Sequence, residues 1–324
     1  MNQQITLSRR SLRIAGTEVT PSIVSGSEWR SIVAYFVASQ DVKESSRSLY
    51  ARTLSQYFLW IEATGRDLNS LTREDILEYK DHLQDEGLSS LTIGSYIVAV
   101  RKFYEFAEAN KIYPNIAKGI KTPKRKQQFK KQHLTDGDSA ELLSYFESKS
   151  LRDYAIVNLL LRTGLRTIEV ARANIGDITF KSGKRVLLVW GKGRDEKDDF
   201  VVLTDKAYTP IKRYLDSCRK GAKAGEPLFV SHSRQNEGER LTTRTISGLC
   251  KEGLKAIGLD GKEFTAHSLR HTTAVAILTH GGSLTDAQAV LRHSSPTTTQ
   301  IYTESIKEEL RLQNSPEAMI DNAF

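Results

Sequence analysis

The chain has 324 residues, with 47 Lys or Arg against 39 Asp or Glu and a formal net charge of +8. That length passes the roughly 250–300 residues at which a single core stops growing, so two domains are expected. Hydrophobic residues at 39% exclude wholesale disorder, and the basic surplus points to a polyanionic partner while leaving the fold open.

The surplus is local. Positions 1–117 hold 13 basic and 14 acidic residues, and positions 132–324 hold 27 and 25. Between them, positions 118–131 carry seven basic residues and no acidic one: Lys118, Lys121, Lys124, Arg125, Lys126, Lys130 and Lys131. Cys218 and Cys250 are too few and too isolated for a disulfide framework and fit a reducing compartment. No apolar run approaches the roughly 18 residues of a membrane span. The S-R-R-S-L-R at 8–13 lacks the apolar stretch that an export signal needs, so a cytoplasmic protein without membrane attachment is expected.

In chain order, a polar leader occupies 1–25. Residues 29–37 give a first helix. Tyr50, Leu54, Tyr57, Phe58 and Ile61 form a second stripe at helical spacing, and Ile76, Tyr79 and Leu83 form a third, opened by Thr72-x-x-Asp75. Ile93, Ile97, Val100 and Tyr104 form a fourth. The region 26–117 therefore reads as a small helical bundle, and 118–133, centred on Pro123, as a basic linker. From 134 an apolar helix runs over 154–161, breaks at Thr163-Gly164 and resumes over 166–174. Strand-like runs at 185–190 and 200–203 flank the polar loop 191–199 and predict a hairpin. Helices return at 207–219, 242–257 and 265–279, the last stopped by Gly281-Gly282. The fold class is mainly α, with one small antiparallel β-sheet in the C-terminal domain. No phosphate loop or dinucleotide fingerprint occurs, so no cofactor is implied.

The candidate chemistry starts with A-H-S-L-R-H-T-T at 266–273. On a helix, His267, Arg270 and His271 share a face and offer an anion-binding guanidinium with proton-transferring imidazoles. Two plainer readings compete: a zinc-binding H-x-x-x-H pair, without the metalloprotease glutamate because Ser268 stands there, and ordinary surface or core histidines. Upstream, Arg166 follows the Gly164 break with Glu169 one turn on; a helix-surface ion pair is the bland alternative. Downstream, His293 lies nine residues before Tyr302, which alone would be read as a packing residue.

Taken in order, T-G-L-R-x-x-E, Lys192 in a G-K-G hairpin, H-x-L-R-H and R-H-S-S-x-x-T-T-x-x-Y resemble the tyrosine recombinase, or phage integrase, family. The resemblance covers 134–305 as a catalytic domain, and the bundle resembles that family's SAM-like core-binding domain. It implies that Tyr302 attacks a scissile DNA phosphate to give a 3′-phosphotyrosyl enzyme and a free 5′-hydroxyl. Arg166 and Arg270 would clamp the non-bridging oxygens, Lys192 would protonate the departing 5′-oxygen, and His293 would donate to the phosphate. His267 would give acid–base support, with His271 and Glu169 as buttresses. Such chemistry needs positioning and charge neutralisation, which two guanidiniums supply where a nuclease would use divalent metals, so no metal is implied.

The hairpin, G-K-G-R-D-E-K-D-D-F, is more acidic after its first lysine than the family's usual basic hairpins, and Lys197 rivals Lys192 as general acid. Arg292 precedes His293 where the family commonly has Gly, which would alter the loop there. The implied partners are double-stranded DNA with an inverted-repeat core site, further copies of the chain in a synaptic homo-tetramer (monomer or dimer off DNA), and accessory directionality factors. The basic strap would let the two domains close on a duplex. The tail 306–324 would dock on a neighbouring protomer or on its own domain. A DNA-binding protein without activity and a type IB topoisomerase-like enzyme are the alternatives; the complete set of six site residues and the bundle argue for recombination.

Overall fold

The structure, a computed structural model, describes residues 28–124, 132–190 and 196–292. The chain divides into two compact units, with the break between residues 124 and 132. The leader, Lys192, His293, Tyr302, Arg125, Lys126, Lys130, Lys131 and the 306–324 tail lie outside the described residues.

The first unit holds four helices: α1 (Glu28–Ser39), α2 (Glu44–Ala63), α3 (Arg73–Asp85) and α4 (Ser90–Ala109). Their helical stripes turn inward as their spacing predicts. Leu54, Tyr57 and Ile61 of α2, Ile76, Tyr79 and Leu83 of α3, and Ile93, Ile97, Val100 and Tyr104 of α4 are all buried in one core. Trp29 of α1 stacks on Phe58 at 4.8 Å between centroids, and its indole N–H donates to Glu62 at 2.6 Å. The Thr72/Asp75 pattern starts α3, where Asp75 accepts the Thr72 backbone N–H at 2.7 Å. Tyr57 and Tyr104 satisfy each other in the interior, hydroxyl to hydroxyl at 3.0 Å, and burial pushes both phenols well above their usual range.

Part of the basic strap belongs to this unit. Ala117 and Ile120 are buried in its core, while Lys118, Lys121 and Lys124 are exposed. The strap thus begins as a segment whose apolar residues are packed down and whose lysines face solvent.

The second unit contains α5 (Asp136–Lys149), α6 (Leu151–Thr163), α7 (Thr167–Arg172), a 3-10 turn (Ile175–Asp177), β1 (Ile178–Lys181), β2 (Lys184–Val189), β3 (Asp199–Val202), α8 (Asp205–Cys218), α9 (Thr243–Ala256), α10 (Ala266–Thr279) and α11 (Leu284–Leu291). The sheet is antiparallel in the order β1-β2-β3, with Ile178 opposite Leu187 and Val189 opposite Asp199. The hairpin of β2 and β3 is where alternation predicts it. The third strand, β1, and helices α5 and α11 are additions. Each carries a thin apolar signal: only Leu142 and Phe146 of α5, and Ala287 and Leu291 of α11, are buried. Helix α6 forms the centre of this unit, buried along Ala155–Leu160 against α8, α5 and α10. Among the described residues, no helix is long and apolar enough to cross a membrane.

Candidate active site

Helix α6 ends at Gly164, which takes the left-handed conformation (φ 60°) and closes the helix by donating its N–H to Leu160. A side chain is excluded here twice: by that φ, and because a Cβ would lie 2.5 Å from Leu291 Cδ2. Leu165 then plugs the core, and Arg166 becomes the N-cap residue of α7. Glu169, one turn on, accepts the Arg166 backbone N–H at 2.6 Å through Oε2 and the Arg166 guanidinium Nη1 at 3.1 Å through Oε1. Its side chain is only 7% exposed, whereas that of Arg166 is 33% exposed. One carboxylate therefore starts the helix and holds the arginine at the rim of a cleft.

Helix α10 brings Arg270 and the two histidines to this place, but it divides them. Arg270 is 2% exposed and spans two elements, donating from Nη1 to the carbonyl of Gly164 and from Nη2 to that of Leu291 at 2.6 Å. These bonds use two of the five N–H donors of a guanidinium. His271 is fully buried, its ring edge-on to His133 at 5.4 Å, whereas His267 is exposed. The expected shared face is thus split between interior and surface, because α10 is packed on most of its circumference.

Arg166, His267 and Arg270 border one open cleft of about 550 Å³, together with Ser247, Lys251 and Thr265. The arrangement suits an anion: two guanidiniums, one of them at the rim, with an imidazole beside them. Lys251 is held with its ammonium on the carbonyls of Asp260 and Gly261, both at 2.8 Å. Its ammonium also lies 3.6 Å from Asp260 Oδ1; nine residues separate the two, a spacing that helical periodicity does not flag, so its place in the cleft has no signal in sequence. Arg240, outside the cleft lining, fastens the end of α7 by donating to the Ala171 carbonyl at 2.9 Å and to Asn174 Oδ1 at 2.6 Å.

Lys197 is committed elsewhere. Its ammonium lies 2.6 Å from Oδ1 of Asp177, a buried carboxylate at the end of the 3-10 turn. Arg292 closes α11 in the left-handed region (φ 53°) and donates to Glu169 at 2.8 Å. Lys192, His293 and Tyr302 lie outside the described residues, so the site seen here consists of Arg166, Glu169, His267, Arg270 and their supports.

The chain is similar to tyrosine recombinase XerD of Oceanobacillus iheyensis, 30% identical over 283 residues that cover 83% of this chain and 91% of the relative. It is also similar to tyrosine recombinase XerA of Pyrococcus furiosus, 29% identical over 283 residues, covering 82% and 93%. Its fold resembles that of the XerH site-specific recombinase solved bound to palindromic difH substrate, with a TM-score of 0.67 and 21% identity over 84% of this chain and 80% of that one. The Tn1549 transposon integrase solved with transposon right end DNA gives a TM-score of 0.64 at 18% identity, over 87% and 98%. Residues 33–111 match the phage integrase N-terminal SAM-like domain, and with residues 132–309 matching the phage integrase family itself, the chain belongs to that family.

Proposed function

We propose that the chain is a site-specific DNA recombinase that cleaves and rejoins strands through a covalent tyrosyl intermediate. The observation that carries this reading is the cleft in which Arg166, held by Glu169, meets Arg270 and His267. Family membership and the recombinase names of the relatives support it.

The reaction follows from the charges. A phosphodiester entering the cleft meets the Arg166 and Arg270 guanidiniums, which bind its non-bridging oxygens and neutralise the charge that builds up on them. The Tyr302 hydroxyl gives up its proton, with His267 as acid–base support, and its oxygen attacks phosphorus in line. The bond to the 5′-oxygen breaks, Lys192 supplies the proton that this oxygen takes up, and His293 donates to the phosphate. The products are a 3′-phosphotyrosyl diester and a 5′-hydroxyl. A 5′-hydroxyl from another strand reverses the steps, so the energy of the phosphodiester is retained. We prefer Lys192 to Lys197 because the Lys197 ammonium is engaged by Asp177.

The substrate would be double-stranded DNA carrying inverted repeats, gripped by the two units and the strap, with four copies of the chain in the synapse and directionality factors as accessory partners. A cytoplasmic site of action and a role in moving a genetic element belong to the same reading. The test is trapping on a nicked suicide duplex, obtained by selecting a random-sequence pool for binding to the full chain. A covalent adduct that forms in EDTA and disappears in Tyr302→Phe is expected, and an adduct that persists in that variant overturns the nucleophile.

A further inference from the structure

Of the three described non-glycine residues with positive φ, Lys111 and Ser182 are exposed, whereas Arg292 sends its side chain inward. At the end of α11 (φ 53°), where glycine is the unstrained choice, an arginine is kept with only 8% of its side chain exposed. Its Nη2 donates to Glu169 Oε2 at 2.8 Å, its Nη1 to the Val290 carbonyl at 3.1 Å, and its Nε lies 3.5 Å from Asp199 Oδ2 at the start of β3. Glu169 is the carboxylate that holds Arg166.

We propose that Arg292 is a positioning residue that acts through Glu169 to keep Arg166 aimed and effectively cationic at the cleft. This rests on the recombinase reading above. A buried carboxylate paired with Arg166 alone would cancel the charge offered to a phosphate. Placed between two guanidiniums, the same buried carboxylate orients Arg166 while Arg292 takes up part of its charge; Asp199, at 37% side-chain exposure and 3.5 Å from Arg292 Nε, is the better screened of the two carboxylates and offsets less. The bridge also joins α7 to the end of α11, whose last carbonyl is held by Arg270, so both arginines of the cleft refer to one short stretch of chain. Asp199 adds the β2–β3 hairpin to the same junction.

The experiment compares single-turnover adduct formation by the full chain and by Arg292→Lys, Arg292→Gly and Arg292→Gly/Glu169→Gln, on the nicked duplex selected as above and at temperatures where circular dichroism shows each variant folded. Expected is a slowing of at least tenfold in Arg292→Gly, a smaller one in Arg292→Lys, and at least threefold recovery when Glu169→Gln removes the uncompensated carboxylate. Glycine satisfies the turn, so a purely conformational role for Arg292 predicts a wild-type rate in Arg292→Gly, and that result overturns the proposal. A further loss on adding Glu169→Gln overturns it as well. A wild-type chain that forms no adduct instead sinks the recombinase reading. The role of Arg292 is then decided by inorganic phosphate: the concentration needed to raise the melting temperature should increase at least threefold in Arg292→Gly and fall back in the double variant, and equal concentrations in all three proteins overturn it.

Discussion

Glu169 and Arg292, 123 positions apart in sequence, meet at 2.8 Å with their side chains 7% and 8% exposed. Such a pair differs in kind from the surface ion pairs elsewhere in the chain, such as Lys102–Glu105, which contribute well under about 1 kcal/mol each. Removing one partner of a buried pair strands the other's charge at a penalty of about 3–5 kcal/mol. Glu169→Ala should therefore lower unfolding free energy in urea by about 3 kcal/mol, and Glu169→Gln by less, because its amide oxygen still accepts. A loss below about 1 kcal/mol for Glu169→Ala would put this pair with the surface ones.

Gly164 meets two independent constraints, a left-handed φ and Leu291 within 2.5 Å of where a Cβ would be. An L-residue in that conformation costs roughly 1–2 kcal/mol before any clash is counted. Gly164→Ala should destabilise the chain by about 2 kcal/mol or more and also weaken adduct formation, since the Gly164 carbonyl is an anchor of Arg270. Full activity in a measurably destabilised Gly164→Ala protein would uncouple the turn from the site.

These two cases mark what the sequence could and could not reveal. The stripes of α2, α3 and α4 were legible because burial on one face imposes a period of 3.6 that survives in the order of residues. The Arg166–Glu169 pair was legible too, being one turn apart. The Glu169–Arg292 bridge was not: it links distant segments, and Arg292 stands where the backbone favours glycine, so it read as an altered loop. The burial of Arg270 was not legible, because periodicity says which residues share a face and leaves open whether that face is turned inward. Helices α5 and α11 were missed because two buried apolar residues each are too few to establish a period.

Asp75 gives a pH dependence. Burial raises its pKa, but the Thr72 backbone N–H and the Arg66 guanidinium outweigh this and hold the carboxyl below its usual range. A depressed folded pKa means that the stabilisation is complete above the unfolded value, near 4, and is lost as pH falls through the folded value. Unfolding free energies of wild type and Asp75→Asn should therefore differ most at pH 5 and above and converge toward pH 2. Parallel profiles would show that the carboxylate's charge adds nothing.

The strap predicts a salt dependence. Seven phosphate contacts at about −0.9 each give a slope near −6 for log K against log salt. Replacing Lys124, Arg125, Lys126, Lys130 and Lys131 with Gln should flatten that slope by about 4.5 in a fluorescence-anisotropy titration, while the tyrosyl adduct still forms on saturated DNA. An unchanged slope would make the strap a solvated tether.

The Arg270 guanidinium donates to the carbonyls of Gly164 and Leu291, and both acceptors are main-chain atoms. Main-chain oxygens are common to every residue type, so this clamp is indifferent to which apolar residue occupies position 291 but depends on the reach and shape of its own planar fork. A lysine at 270 has a single ammonium and cannot brace two segments from opposite ends of one plane. Latitude should accordingly be confined to position 291, because Gly164 is fixed by its own backbone and packing and Arg270 by its fork.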